Sequence, residues 1–180
     1  MPGRVPYDAY REFMTPLETA IKCLGQANFT VSPGGSSNPA GEHGWTVNSG
    51  DGMDLAGGNF QAEMRYQFVR TDDARSWRVT TTKYRYKLTR NGADLFRIHW
   101  HPDGNSDETR PNIHIPIAGA ANETVEQHYP TGRLMFEDAV EWVILMGSVP
   151  TREDWLDVLK PGRDAHTSHR SWAHDPATGH

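Results

Sequence analysis

The chain opens with apolar residues at helical spacing. Tyr10, Phe13, Met14, Leu17, Ile21 and Leu24 recur every three or four positions, which predicts a helix over Tyr7–Gln26. Pro16 lies inside this run and is expected to kink or divide it, with Gly25 as its stop. From Ser32 to Gly58 the pattern dissolves into Gly, Ser, Asn and Pro. That predicts a long loop or insert, interrupted at most by a short strand at Gly44–Asn48. Alternation of period two then takes over. It predicts strands at Gln61–Arg70, Ser76–Arg90, Asp94–His101 and Asn112–Ile117, with Thr71–Ala74 and Asn91-Gly92 as hairpin connections. Two helices follow. Leu134–Met146 is apolar around most of its circumference, and Thr151 opens a short helix through Leu159 that Pro161-Gly162 should stop. From Arg163 onward the chain reads as a polar, His-rich tail.

Period two assigns each strand residue to a face. Met64, Tyr66, Phe68, Thr82, Tyr84, Tyr86, Leu88, Phe96, Ile98, Trp100, Ile113, Ile115 and Ile117 fall on an apolar side. The opposite side collects Glu63, Arg65, Lys83, Arg85, Lys87, Arg97, His99, His101 and His114. An antiparallel sheet with one solvated face suits this division. The expected fold is therefore α+β: a sheet of about four to five strands with helices packed on one face. Residues 1–31 form the N-terminal helical segment, 32–58 the insert, 59–162 the core and 163–180 the tail of one domain.

Composition narrows the functional classes. At 180 residues the chain is long enough for one core, and its single Cys23 excludes an internal disulfide and suits a reducing compartment. Cys23 lies in the helical pattern and reads as core. There is no apolar run of membrane-spanning length and no signal-like N-terminus, so a cytoplasmic protein without membrane contact is expected. A net charge of −5 disfavours wholesale coating of nucleic acid, yet the bases gathered on one sheet face can still attract phosphate. The plain alternative is a solvated face that meets only water.

The histidines carry the candidate chemistry. Imidazoles titrate near neutrality, so His99, His101 and His114 are candidate general acids and bases for phosphodiester cleavage. Arg65, Lys83, Arg85, Lys87 and Arg97 are the candidate phosphate ligands. No cofactor is required by this reading. A divalent metal is the alternative, held by His99, His101 and His114, with His128, Asp103 and Glu108 as further ligand candidates. His-x-His also resembles one element of the cupin motif, but Asn105 and Ser106 stand where its glutamate belongs. The P-loop, the dinucleotide fingerprint, HExxH and the nucleophile elbow are absent. His166, His169, His174 and His180 read as a solvated cluster, while Trp45 and Trp172 are candidates for partner contacts.

The order Ile98-His99-Trp100-His101, then Ile113-His114-Ile115-Pro116, then Phe136-Glu137-Asp138 opening an apolar helix, is a recognisable arrangement. Over roughly residues 60 to 160 it resembles a group of small bacterial proteins and, more distantly, TumE-type toxins of toxin–antitoxin pairs. The resemblance implies a toxin-like protein controlled by a cognate antitoxin. Together with the basic, His-bearing face it implies action on RNA or another phosphate substrate. A non-catalytic protein-interaction module is the rival expectation, and a metal-dependent His-x-His enzyme the third.

Overall fold

The structure is a computed structural model that describes residues 2–71, 74–102, 110–115 and 128–169. Among them it forms three helices and an antiparallel sheet of eight strands, so the α+β class holds while the sheet is larger than the four or five strands expected. In chain order these are α1 (Pro6–Ile21), β1 (Phe29–Val31), β2 (His43–Val47), β3 (Met53–Leu55), β4 (Gly58–Arg70), β5 (Trp77–Arg90), β6 (Ala93–Trp100), β7 (Asn112–His114), β8 (His128–Pro130), α2 (Phe136–Leu145) and α3 (Trp155–His169). Spatially the strands run β1-β2-β4-β5-β6-β7-β8, with β3 paired to the start of β4. Asn91 and Gly92 both have positive φ, 53° and 80°, as a two-residue hairpin between right-twisted strands requires.

The helices cover the apolar face. Phe13 of α1 meets Tyr66 with ring centroids 5.7 Å apart, Phe136 of α2 meets Tyr86 at 5.7 Å, and Trp142 meets Phe96 edge-on at 5.8 Å. Cys23 is fully buried, as its place in the helical pattern required. No helix among the described residues is long and apolar enough to cross a membrane.

Several expectations give way to tertiary contacts. The short strand expected at Gly44–Asn48 is present as β2, but the Gly-rich stretch is no loose insert: it also contains β3, and β2 is an internal strand lying between β1 and β4. Trp45 is thus core, packed against Phe29 and Phe136 at 4.9 and 5.5 Å, and is removed from the partner-contact candidates. Pro16 divides nothing: α1 is continuous through it, its flank Tyr10, Phe13, Met14 and Leu17 being buried. Pro161 and Gly162 do not stop α3, which runs to His169 and turns the expected tail at Arg163–His169 into helix. An internal proline costs about 3 kcal/mol or more. Two residues on, Arg163 ties this part of α3 to α2 by reaching Asp138 at 2.8 Å and pairing with Glu141. Thr151 does not cap the helix; its hydroxyl donates to the Lys22 carbonyl at 2.6 Å. Trp172, His174, His180, Asp103, Asn105, Ser106, Glu108, Pro116 and Ile117 lie outside the described residues.

Two irregularities of register revise the faces. Between Arg65 and Tyr66 the pairing slips, so Tyr66 lies opposite Thr81 rather than Thr82. Thr81 is the buried hydroxyl, donating to the Met64 sulfur, and Thr82 instead donates to Glu42 at 2.7 Å. A second slip at Leu88/Thr89 sets Asp94 opposite Thr89. Asp94, which strict alternation places with Phe96 and Ile98, thereby joins the polar face. Ile115, expected on the apolar side, is exposed beyond the end of β7.

Candidate functional site

The register aligns the polar residues in transverse rows, because antiparallel partners lie directly opposite one another. Glu63 of β4 faces Arg85 of β5, which faces His99 of β6, which faces Asn112 of β7. The neighbouring row runs Gln61, Lys87, Arg97, His114 and, on β8, the backbone position of His128. On the other side Gly44, Arg65 and Lys83 are aligned. The β4, β5 and β6 members of these rows line a groove of about 530 Å³ whose walls include Gln61, Arg65, Lys83, Lys87, His99 and His101. All eight expected site residues belong to this one face.

They are not equivalent. His99 and His114 are only 9% and 7% exposed, a correction to the solvent-facing positions expected for them, whereas His101 is exposed. The Nε2 atoms of His99 and His114 are 2.6 Å apart, and His114 Nε2 is 3.0 Å from Asn112 Oδ1. The amide oxygen can only accept, so His114 Nε2 carries a hydrogen, and that single hydrogen is shared between Asn112 Oδ1 and the lone pair of His99 Nε2. The Asn112 amide nitrogen donates in turn to the Arg110 carbonyl, which fixes that orientation. The His101 ring stacks on His99 with centroids 4.6 Å apart and planes 17° from parallel. One exposed imidazole is therefore backed by a buried, hydrogen-bonded pair.

The cations divide as well. Arg85 is bound to Glu63 at 3.1 Å, and Asp94 holds both Lys87 at 3.0 Å and Arg97 at 2.5 Å. Arg65 and Lys83, opposite each other, are in no ion pair among the described residues. Gly44 gives Arg65 its place, since a Cβ there would come within 2.9 Å of the arginine Cδ. Among the described residues no group of three or more His, Cys, Asp or Glu side chains is arranged to hold a metal.

Asp94 and Asn112 escaped the sequence reading. Asn112 shares parity with His114 and could have been found that way; Asp94 could not, because its face depends on the bulge. A second titratable cluster lies across the sheet. Glu137 of α2 is fully buried, with the His166 Nε2 of α3 at 3.5 Å. Burial pushes its carboxyl up to about 7, with Asp138 adding to the rise and Arg163 opposing it. His166 is 8% exposed and edge-on to Phe13, so it leaves the expected solvated cluster. Its signal was faint: Glu137, Val140 and Ile144 share a helix face, but nothing in the sequence joined that face to His166. Comparison with models of protein families, with curated proteins and with solved structures gives no significant match, so the chemistry of these residues alone carries the functional reading.

Proposed function

We propose that the groove binds a phosphate ester, with RNA as the substrate class, and that His101 moves the proton in its cleavage. One observation carries this reading: an exposed imidazole stands on the same face as Arg65 and Lys83, two cations that no carboxylate among the described residues neutralises. Such cations attract phosphate despite the negative total charge. In the proposed step His101 takes the proton of a ribose 2′-hydroxyl as that oxygen attacks phosphorus. The bond to the 5′-oxygen breaks, and the departing oxygen takes a proton from water. Arg65 and Lys83 stabilise the charge that builds on the phosphoryl oxygens. His99, His114 and Asn112 act behind His101 as positioning residues, holding its ring in one plane.

The sequence resemblance to TumE-type toxins adds a cognate antitoxin as the partner that would restrain this activity. The test is cleavage of single-stranded RNA by purified wild type, His101→Ala and Lys83→Ala. Activity that falls by about 100-fold or more in His101→Ala, the usual weight of a general base, supports the reading. A wild type that cleaves nothing, or a His101→Ala form that cleaves normally, overturns it in favour of an interaction module.

A further inference from the structure

We infer that the outer face of the His101 ring seats an unpaired nucleobase, so that the groove takes single-stranded nucleic acid one nucleotide at a time, base on His101 and phosphate on Arg65 and Lys83. The inference rests on the phosphate reading above and specifies what the rest of the ligand must be.

Three features support it. The first is preorganisation. His101 stacks on His99, His99 is hydrogen-bonded to His114, and His114 is hydrogen-bonded to Asn112. Two of these three supporting rings or amides are nearly as buried as core side chains, and Asn112 is 4% exposed. An aromatic surface held this firmly loses little freedom when a base lands on it. A third ring laid on the exposed side would continue a stack whose first members are the imidazoles of His99 and His101.

The second is spacing. Trp100 lies opposite Tyr84, so one step further along both strands sets His101 beside Lys83, with Arg65 one strand beyond. Adjacent strands lie about 4.8 Å apart, which puts the cation pair about one and two strand widths from the ring. A single nucleotide bridges that separation between its base and its own phosphate.

The third is the restricted supply of charge. Glu63 and Asp94 already hold Arg85, Lys87 and Arg97, leaving two cations in no ion pair among the described residues. That is one phosphate's worth, not a track for a long backbone. A duplex is also the wrong shape, because its bases are already stacked and paired, whereas stacking on a protein ring needs a base that has been splayed out.

The experiment measures binding of uridine 5′-monophosphate, ribose 5-phosphate and inorganic phosphate to the full chain by titration calorimetry. Stacking predicts that the nucleotide binds about tenfold more tightly than ribose 5-phosphate. His101→Ala should bring the nucleotide down to the sugar phosphate's affinity while leaving inorganic phosphate unchanged. His101→Phe should keep the preference but abolish cleavage, separating the stacking role from the proton transfer. Lys83→Ala should weaken all three ligands. For oligouridine the logarithm of affinity should fall with the logarithm of salt with a slope of about −1.4, since two cations engage phosphate; five would give about −3.5. Equal binding of nucleotide and sugar phosphate, both sensitive to Lys83→Ala, would overturn the base seat and leave the phosphate reading standing. No binding of any of the three would overturn both. Tighter binding of a duplex than of a single strand would also sink the inference.

Discussion

Each side of the sheet meets a buried or half-buried acid, Asp94 on the open side and Glu137 of α2 on the covered side, and the two live under opposite rules. On the open face Asp94 sits among cations at 2.5 and 3.0 Å, with side chains a fifth to a quarter exposed. Water screens it, two positive partners satisfy it, and it tunes which cations remain for a ligand. On the covered face Glu137 is fully buried at a place where the backbone of α3 comes so near that a Cβ on Gly162 would collide with its carboxyl. Neither of its carboxyl oxygens accepts a hydrogen bond from any described residue, and His166 at 3.5 Å is the ring beside it. The same chemical types thus give a binding surface where solvent reaches them and a proton-sensitive joint where it does not. Dielectric environment makes the difference.

The comparison is broken most severely by removing what keeps the covered face dry. Phe136 is 1% exposed and touches Trp45, Phe60 and Tyr86, so Phe136→Ala should cost about 3–5 kcal/mol in chemical denaturation. A loss under 1 kcal/mol would show that α2 is not seated on the sheet as described.

The next effect is the pH dependence of Glu137. Its pKa is raised from 4.5 to about 7, so the folded protein holds this proton more tightly than the unfolded chain. Its favourable contribution is complete below pH 4.5, declines as pH rises, and is gone above about pH 7. The decline amounts to about 3 kcal/mol. Glu137→Gln cannot ionise and should abolish that share of the decline. Parallel stability–pH curves for the two proteins would refute the assignment.

Smaller effects belong to the open face. Asp94→Asn should change stability by less than about 1 kcal/mol, because surface ion pairs contribute little. It should nonetheless tighten phosphate binding severalfold by releasing Lys87. Unchanged affinity would mean that this cation does not reach the ligand. Smallest of all, Glu63→Gln should alter stability by no more than about 0.5 kcal/mol, since its partnership with Arg85 involves side chains about half exposed. A larger loss would mark that pair as structural.

Much of this was legible in the chain. Strict alternation through Phe96–His101 and Met64–Phe68 put the right side chains on the right faces, because side-chain direction in a strand is a property of consecutive residues. The Asn91-Gly92 hairpin was legible for the same reason: its two positive φ angles are demanded locally. What alternation could not show was solvent access. His99 and His114 share the face with His101, yet only His101 is exposed, because burial depends on neighbouring strands rather than on parity. Trp45 misled for a related reason: a five-residue strand can be read from the sequence, but that it is internal to the sheet follows from its pairing with β4, which lies farther along the chain.

By itself, then, the sequence determined the α+β class, the two unlike faces of the central strands, and the common side of three histidines and five cations. Each follows from spacing within one element. Tertiary structure alone decided that Asp94 crosses to the polar face, that α3 continues through Pro161 and Gly162, and that Glu137 meets His166 in a dry interior. Each of those requires a partner from elsewhere in the chain: a register shift against β5, a salt bridge from Arg163 to α2, and the closing of one helix over another. Local periodicity carries no information about which distant element will supply the missing charge or exclude the water.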